Sequence, residues 1–291
     1  MAEQSEIPSV SFAPDLFRLD GRVALVTGGA GLLGQRYCEA LLQAGARVVI
    51  GDVDGARATA LAERLSGQGG ARVIAAQLDV TNEKSVQQAV DVAAETFGRL
   101  DILVNNAALT VRGGSQRLTP AEYFAPFEDY SLDVWNQALN TNLTGMLLCA
   151  QAAGRQMLRQ DPVGGVMVNV SSTYGVVAPD QRLYDGVKSP YADTSFNTPV
   201  SYAVTKTAVL GLTRYLATYW GSKSIRVNAL TPHGVFDNHD ESFVRNFVYR
   251  SPMGRMARND EYRGALLFLV SDASSYMTGT NLIVDGGWTA W

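Results

Sequence analysis

Two groups of residues in this chain have the types and spacing to carry chemistry. One is a tyrosine and a lysine four apart, Tyr202 and Lys206; the other is the glycine-rich run Gly28-Gly29-Ala30-Gly31-Leu32-Leu33-Gly34. On a helix, residues at i and i+4 share a face, and Thr198 followed by Pro199 reads as the cap and first position of such a helix. A free tyrosine titrates near pH 10, so a base working near pH 7.5 needs roughly 2.5 units of help, about 3.4 kcal/mol. One positive charge about 4.5 Å away contributes on the order of 3.7 kcal/mol at an effective dielectric of 20. The pair is therefore expected to act as general base in an oxidation and general acid in a reduction. A second Y-x-x-x-K, Tyr184 to Lys188, lies closer in sequence to Ser172. Gly186 inside it and Ser189-Pro190 directly after it oppose a helix there, so Tyr202 and Lys206 are preferred.

The run Gly29-Ala30-Gly31-Leu32-Leu33-Gly34 is a G-x-G-x-x-G that follows an apolar run, Val23-Ala24-Leu25-Val26, and opens a helical stretch. Glycines there permit a tight turn and let a pyrophosphate rest on the N–H groups of a helix N-terminus. Asp52 closes the second apolar run, 18 residues after Gly34. A carboxylate at that place accepts hydrogen bonds from a ribose 2′-hydroxyl and repels a 2′-phosphate. No Arg or Lys occurs at 27–34 or 48–54, so NAD is expected over NADP.

The elements that must position these residues alternate along the chain. Apolar runs at Val23–Val26, Val48–Ile50, Val73–Ala75, Ile102–Val104, Gly165–Val170, Ile225–Ala229 and Leu282–Val284 are separated by stretches of helical periodicity such as Ala58–Leu65 and Val86–Phe97. Such a pattern predicts an α/β protein, a single-domain Rossmann fold whose doubly wound parallel sheet carries helices on both faces. Residues 1–20 read as a polar tail and 21–291 as one domain, with no linker or repeat. The net charge of −4 over 291 residues and the lack of a basic run argue against nucleic acid. No stretch approaches 18 uninterrupted apolar residues, which argues against a membrane span. The start, Met1 to Glu6, lacks the basic and apolar segments of a signal peptide, so a cytoplasmic setting is expected. Cys38 and Cys149 fall in apolar-periodic stretches and read as reduced core residues. The two histidines, His233 and His239, have no companions at ligand spacing, so no metal site is expected.

Taken in order, the motifs resemble those of the short-chain dehydrogenase/reductase family over about residues 18 to 288. They are Thr27-Gly28-Gly29-Ala30-Gly31-Leu32-Leu33-Gly34, Asp79-Val80, Asn105-Asn106-Ala107-Ala108, Asn142-Leu143-Thr144-Gly145, Ser171-Ser172, Tyr202-x-x-x-Lys206, Ile225-Arg226-Val227-Asn228 and Val284-Asp285-Gly286-Gly287. The resemblance implies that Ser172 holds and polarises the substrate oxygen, that Lys206 also binds the nicotinamide ribose, and that Asn142 holds a water linking Lys206 to solvent. It implies that Asp79 bonds the adenine amino group, that Val80 supplies a backbone N–H, and that Asn105 stabilises the strand beside the adenosine. Asn106, Ala107, Pro232 and Val235 complete the expected cofactor contacts. Several positions depart from the family pattern: Leu32 and Ala108 replace glycines, and His233 and Asp237 replace a glycine and a threonine after Pro232. The resemblance also implies a homotetramer or homodimer formed through the helices carrying Asn142 and Tyr202.

Ser172 and Tyr202 are 30 residues apart, which marks an insertion at about 173–200. Ligands in such sheets bind beyond the C-terminal strand ends, and a long loop there is usually functional. Its polar residues suit a polyhydroxylated small molecule such as a sugar or sugar acid, with Gln181 and Arg182 the expected loop contacts and Arg182 able to pair with an anionic group. His233 is a further candidate contact. The main reading is thus an NAD-dependent oxidoreductase interconverting a secondary alcohol and a ketone. The alternatives are a carbonyl reductase on an apolar or acyl substrate, a nucleotide-sugar epimerase or dehydratase, and a non-catalytic NAD-binding scaffold. Net NADH release separates the first from the epimerase, and the joint presence of Asn142, Ser172, Tyr202 and Lys206 argues against the scaffold.

Overall fold

The apolar runs form strands buried on both faces. A computed structural model of the chain describes residues 13–69, 72–109, 118–187 and 197–291. Most of the expected tail, and Lys188 with the rest of 188–196 in the expected insertion, lie outside them. Seven parallel strands make one sheet: β1 (Val23–Thr27), β2 (Arg47–Asp52), β3 (Val73–Gln77), β4 (Ile102–Asn105), β5 (Gly165–Val170), β6 (Ile225–Pro232) and β7 (Asn281–Val284), in the order β3-β2-β1-β4-β5-β6-β7. Register is plain at the centre, where Ala24, Leu25 and Val26 face Val48, Val49 and Ile50 on one side and Ile102, Leu103 and Val104 on the other. Chain order reverses across β1 and β4, which opens a crevice at their C-terminal ends.

Alternate residues of each strand feed two cores. Ala24, Val26, Ile102 and Val104 pack with Tyr37 and Leu41 of α1 (Leu32–Gln43), Ala58 and Leu61 of α2 (Gly55–Gly69), and Tyr262 and Leu266. Val23, Leu25, Leu103 and Met167 pack on the other side with Val86 and Val90 of α3 (Glu83–Phe97) and with Cys149 and Trp220. Both cysteines are buried and unpaired, as expected. Helix α3 starts three residues before the Val86 expected from periodicity. Asn82 caps it by accepting from the Ser85 N–H, and Gly98, at φ +85°, ends it. The ordered body also begins earlier than residue 21: Leu19 is fully buried in the first core, and its N–H bonds the Ala44 carbonyl.

Six more helices among the described residues complete the layers: α4 (Pro120–Tyr123), α5 (Leu132–Leu139), α6 (Gly145–Arg159), α7 (Val200–Trp220), α8 (Glu241–Arg250) and, before β7, α9 (Arg263–Val270). A five-residue π-turn, Asn140–Thr144, joins α5 to α6. No helix among the described residues is long and apolar enough to cross a membrane.

Candidate active site

The glycine loop is held from below by backbone contacts that leave no room for side chains. A Cβ on Gly34 would lie 2.1 Å from the Gly28 carbonyl oxygen, and one on Gly28, at φ +60°, would lie 2.9 Å from Ala107 Cα. Asn106 Nδ2 donates to the Thr27 and Gly28 carbonyls at 3.0 Å, and Thr27 Oγ1 accepts from the N–H groups of Asn106 and Ala107 at 3.0 Å. Gly31 precedes α1 with no side chain bonding its first N–H groups, and Leu32 and Leu33 begin the helix. That exposed amide end suits a pyrophosphate. Asp52 ends β2 beside it: its carboxylate accepts from Ala30 N at 3.0 Å and Asp54 N at 3.1 Å. The loop, the helix start and the carboxylate together fit a dinucleotide.

One basic residue from outside 27–34 and 48–54 enters this region. Arg57, in the first turn of α2, donates from Nη2 to the Ala30 carbonyl at 2.8 Å. Asp79 follows β3 and accepts from both the N–H and the hydroxyl of Thr81, while Val80 is buried against Gly145. Asn105 is buried and donates to Asn169 Oδ1 at 2.9 Å, tying β4 to β5.

Ser172, Tyr202 and Lys206 come together at the ends of β5 and α7. The serine turn is pressed onto that helix. Ser171 Oγ donates to the Lys206 carbonyl at 2.8 Å, and a Cβ on Gly175 would lie 2.5 Å from the same oxygen. Lys206 is buried, donates from Nζ to the Val170 carbonyl at 2.8 Å, and sits 5.7 Å from the Tyr202 ring centroid. Burial lowers the lysine to about 8. Burial also raises the Tyr202 phenol, while the Ser172 hydroxyl beside it pulls the other way. Burial opposes the Coulomb help expected from Lys206, since it disfavours both the ammonium and the phenolate. Asn142 is buried in the π-turn and engaged on both sides, accepting from Leu109 N at 2.7 Å and donating to Thr205 Oγ1 at 3.1 Å. Its amide therefore ties the exit of β4 to α7.

Thr198 does not cap α7. Pro199 occupies the cap position without a side-chain bond, because the Thr198 hydroxyl is drawn instead to Tyr184 Oη at 2.5 Å. Of the competing pair, Tyr184 ends a short 3₁₀ turn, Gln181–Tyr184, and Gly186 beyond it takes φ +72°, while Lys188 lies outside the described residues. Gln181 Oε1 accepts from Thr198 N at 3.2 Å. Arg182 faces solvent with its side chain 80% exposed and forks onto Asp180, which Arg250 of α8 also binds. Gln181 Oε1 and the Arg182 fork are thus engaged with neighbours in the same loop.

Pro232 ends β6, and Val235 forms an isolated bridge to Ala257. Between them His233 is buried in an aromatic cluster: Trp288 lies 4.3 Å from its ring, Phe247 4.9 Å and Tyr174 5.8 Å, edge-on. Burial lowers the imidazole to about 4. Sequence reading missed Tyr174, Phe247 and Trp288, whose only signal was aromatic content scattered over more than a hundred residues. Among the described residues, no three His, Cys, Asp or Glu side chains meet to hold a metal ion.

Known proteins resemble this chain over most of its length. A family model described as short chain dehydrogenase matches residues 22–185, and one described as Enoyl-(Acyl carrier protein) reductase matches residues 189–289. D-threitol dehydrogenase of Mycolicibacterium smegmatis is 37% identical over 281 residues, covering 94% of this chain and 95% of that protein. A gluconate 5-dehydrogenase from Burkholderia cenocepacia, solved with NADP and tartrate, superposes with a TM-score of 0.81 at 32% identity, covering 96% of this chain and 100% of that one. A short chain dehydrogenase from Leptospira borgpetersenii with bound NAD+ gives 0.77 at 31% identity, covering 99% and 100%.

Proposed function

This chain belongs to the short-chain dehydrogenase/reductase family, and from that membership we propose that it interconverts a secondary alcohol and a ketone using NAD, on a polar, polyhydroxylated substrate. It is an oxidoreductase of CH–OH groups that binds a nicotinamide cofactor. The observation that carries the proposal is the convergence of Ser172, Tyr202 and Lys206 at the C-terminal end of β5, the strand next to the β1/β4 crevice.

Held by the glycine loop and Asp52, NAD would supply the hydride acceptor and a positive charge. Ser172 holds the substrate oxygen, and Tyr202 Oη takes its proton as the alcohol is oxidised and returns it in reduction. Lys206 favours the phenolate through its charge, and its bond to Val170 keeps the ammonium on the tyrosine's face of α7. Asn142 keeps α7 in register with the crevice. Asp52 supports the choice of NAD, since its carboxylate opposes a 2′-phosphate. A polar substrate is supported by relatives named for threitol and gluconate.

A homotetramer or homodimer is part of the proposal. Leu147 and Leu158 on α6, and Val204, Tyr215 and Tyr219 on α7, expose apolar surface on adjacent helices. Two buried, unpaired cysteines support a reducing, cytoplasmic setting. The test is NADH formation across polyols, sugars, sugar acids, hydroxy acids and apolar alcohols. Turnover of polar secondary alcohols is expected; turnover confined to apolar alcohols, or to NADP, would contradict the reading.

A further inference from the structure

The carboxylate that supports NAD is not alone beside the glycine loop. Asp52 and Arg57 hold opposite ends of one residue: Asp52 Oδ2 accepts from Ala30 N at 3.0 Å, and Arg57 Nη2 donates to the Ala30 carbonyl at 2.8 Å. A second carboxylate, Asp54, accepts on Oδ1 from the Arg57 backbone N–H at 3.0 Å. Arg57 is exposed, in the first turn of α2, so a ligand lying on the loop meets its side chain without entering the core.

Two features leave this guanidinium available. Among the described residues it forms no ion pair, whereas Arg36 and Arg64 nearby both bind Glu39. Its bond to Ala30 is also duplicated. Gln35 Nε2 donates to the same carbonyl at 3.0 Å, and Arg64 Nη2 holds that side chain by donating to Gln35 Oε1 at 3.4 Å. Arg57 can therefore swing off the carbonyl without leaving it unbonded. A guanidinium carries five N–H donors in a planar fork that matches two oxygens of a phosphate.

At this corner of a dinucleotide site, a carboxylate meets the ribose 2′-hydroxyl and an arginine meets a 2′-phosphate. The chain carries both. Asp52 and Asp54 outnumber Arg57, so the corner stays negative and favours the hydroxyl, but the phosphate has a partner there. We propose that Arg57 binds the 2′-phosphate of NADP and makes NADP a second, weaker cofactor of this chain beside NAD. This rests on the NAD-dependent reading above and goes beyond it in naming a second cofactor and the residue that admits it.

The test is fluorescence titration of the full chain with NADH and NADPH. Displacement of NADH by adenosine 2′,5′-bisphosphate and by 5′-AMP, which differ only in the 2′-phosphate, isolates that group. The unaltered chain is expected to bind NADPH about ten- to 100-fold more weakly than NADH. Arg57→Ala is expected to weaken NADPH and the bisphosphate about a further tenfold, the loss of one charge-assisted contact at an exposed position. NADH and AMP should change less than about twofold, since Gln35 keeps the Ala30 carbonyl bonded. Arg57→Lys, which keeps the charge without the fork, is expected to fall between the two. If NADH and NADPH affinities fall together in Arg57→Ala, the residue only clamps the loop; if neither changes, it is a surface residue. Either result, or an unaltered chain that binds NADH but not NADPH, overturns the proposal and leaves the dehydrogenase reading intact. Folded chain that binds neither dinucleotide overturns both.

Discussion

Around the glycine loop, the contacts run from backbone to backbone or from backbone to one polar side chain. Gly34 rests on the Gly28 carbonyl, Asn106 ties Thr27 and Gly28, and Asp52 holds the Ala30 N–H. Around His233 the contacts are rings against rings and hydroxyls against hydroxyls, drawn from the serine turn, the segment before α7, α8 and the C-terminal turn. The first region is built from groups every residue owns, so its demands fall on the absence of side chains. The second is built from side chains, so its residues can change without displacing the backbone of the sheet.

That contrast can be broken at several points. The largest effect is expected at Gly34→Ala. Its Cβ meets a backbone oxygen at 2.1 Å, which no rotamer relieves, so NADH affinity measured by fluorescence should fall about 100-fold or more. Trp288→Ala empties the aromatic cluster and should cost about 3–5 kcal/mol in urea unfolding, while folded protein still binds NADH. Equal loss of NADH affinity would show that the two regions are not separable.

His233 makes the second region pH-sensitive. Its folded pKa of about 4 lies below the unfolded value near 6.5, so the unfolded chain binds the proton first as pH falls. Stability is full above about pH 6.5 and declines toward pH 4, with about 2 kcal/mol lost by pH 5. Urea midpoints at pH 7 and 5 should show this difference, and His233→Gln should shrink it. A smaller effect is expected in the first region. Asp52→Ala should narrow the preference for NAD over NADP about tenfold, and Arg57→Ala in that background should widen it again. If the unaltered enzyme uses NADP better than NAD, the reading of Asp52 is wrong.

How much of this was legible in sequence follows the same division. The strands, the glycine loop, Asp52 and the Tyr202/Lys206 spacing are local patterns, and the fold keeps them where periodicity and spacing put them. The π-turn around Asn142 has no local signal, and Gly145 directly after it packs against Val80, 65 residues away in sequence. Thr198 misleads because its hydroxyl has a better partner in Tyr184 than in its own helix. Arg182 looked available to an anion, but Asp180 two residues away claims its fork. The ring cluster joins Tyr174, His233, Phe247 and Trp288 across long stretches of chain, and no period announces it.

The central claim is that Tyr202, and not the similarly spaced Tyr184, moves the proton. Steady-state NADH formation from threitol by Tyr202→Phe and Tyr184→Phe, with NADH binding measured on the same samples, tests it most directly. The account predicts that Tyr202→Phe binds NADH but loses about 1000-fold or more in kcat, whereas Tyr184→Phe changes kcat by less than about tenfold. Retained turnover in Tyr202→Phe beside a silent, folded Tyr184→Phe would contradict it.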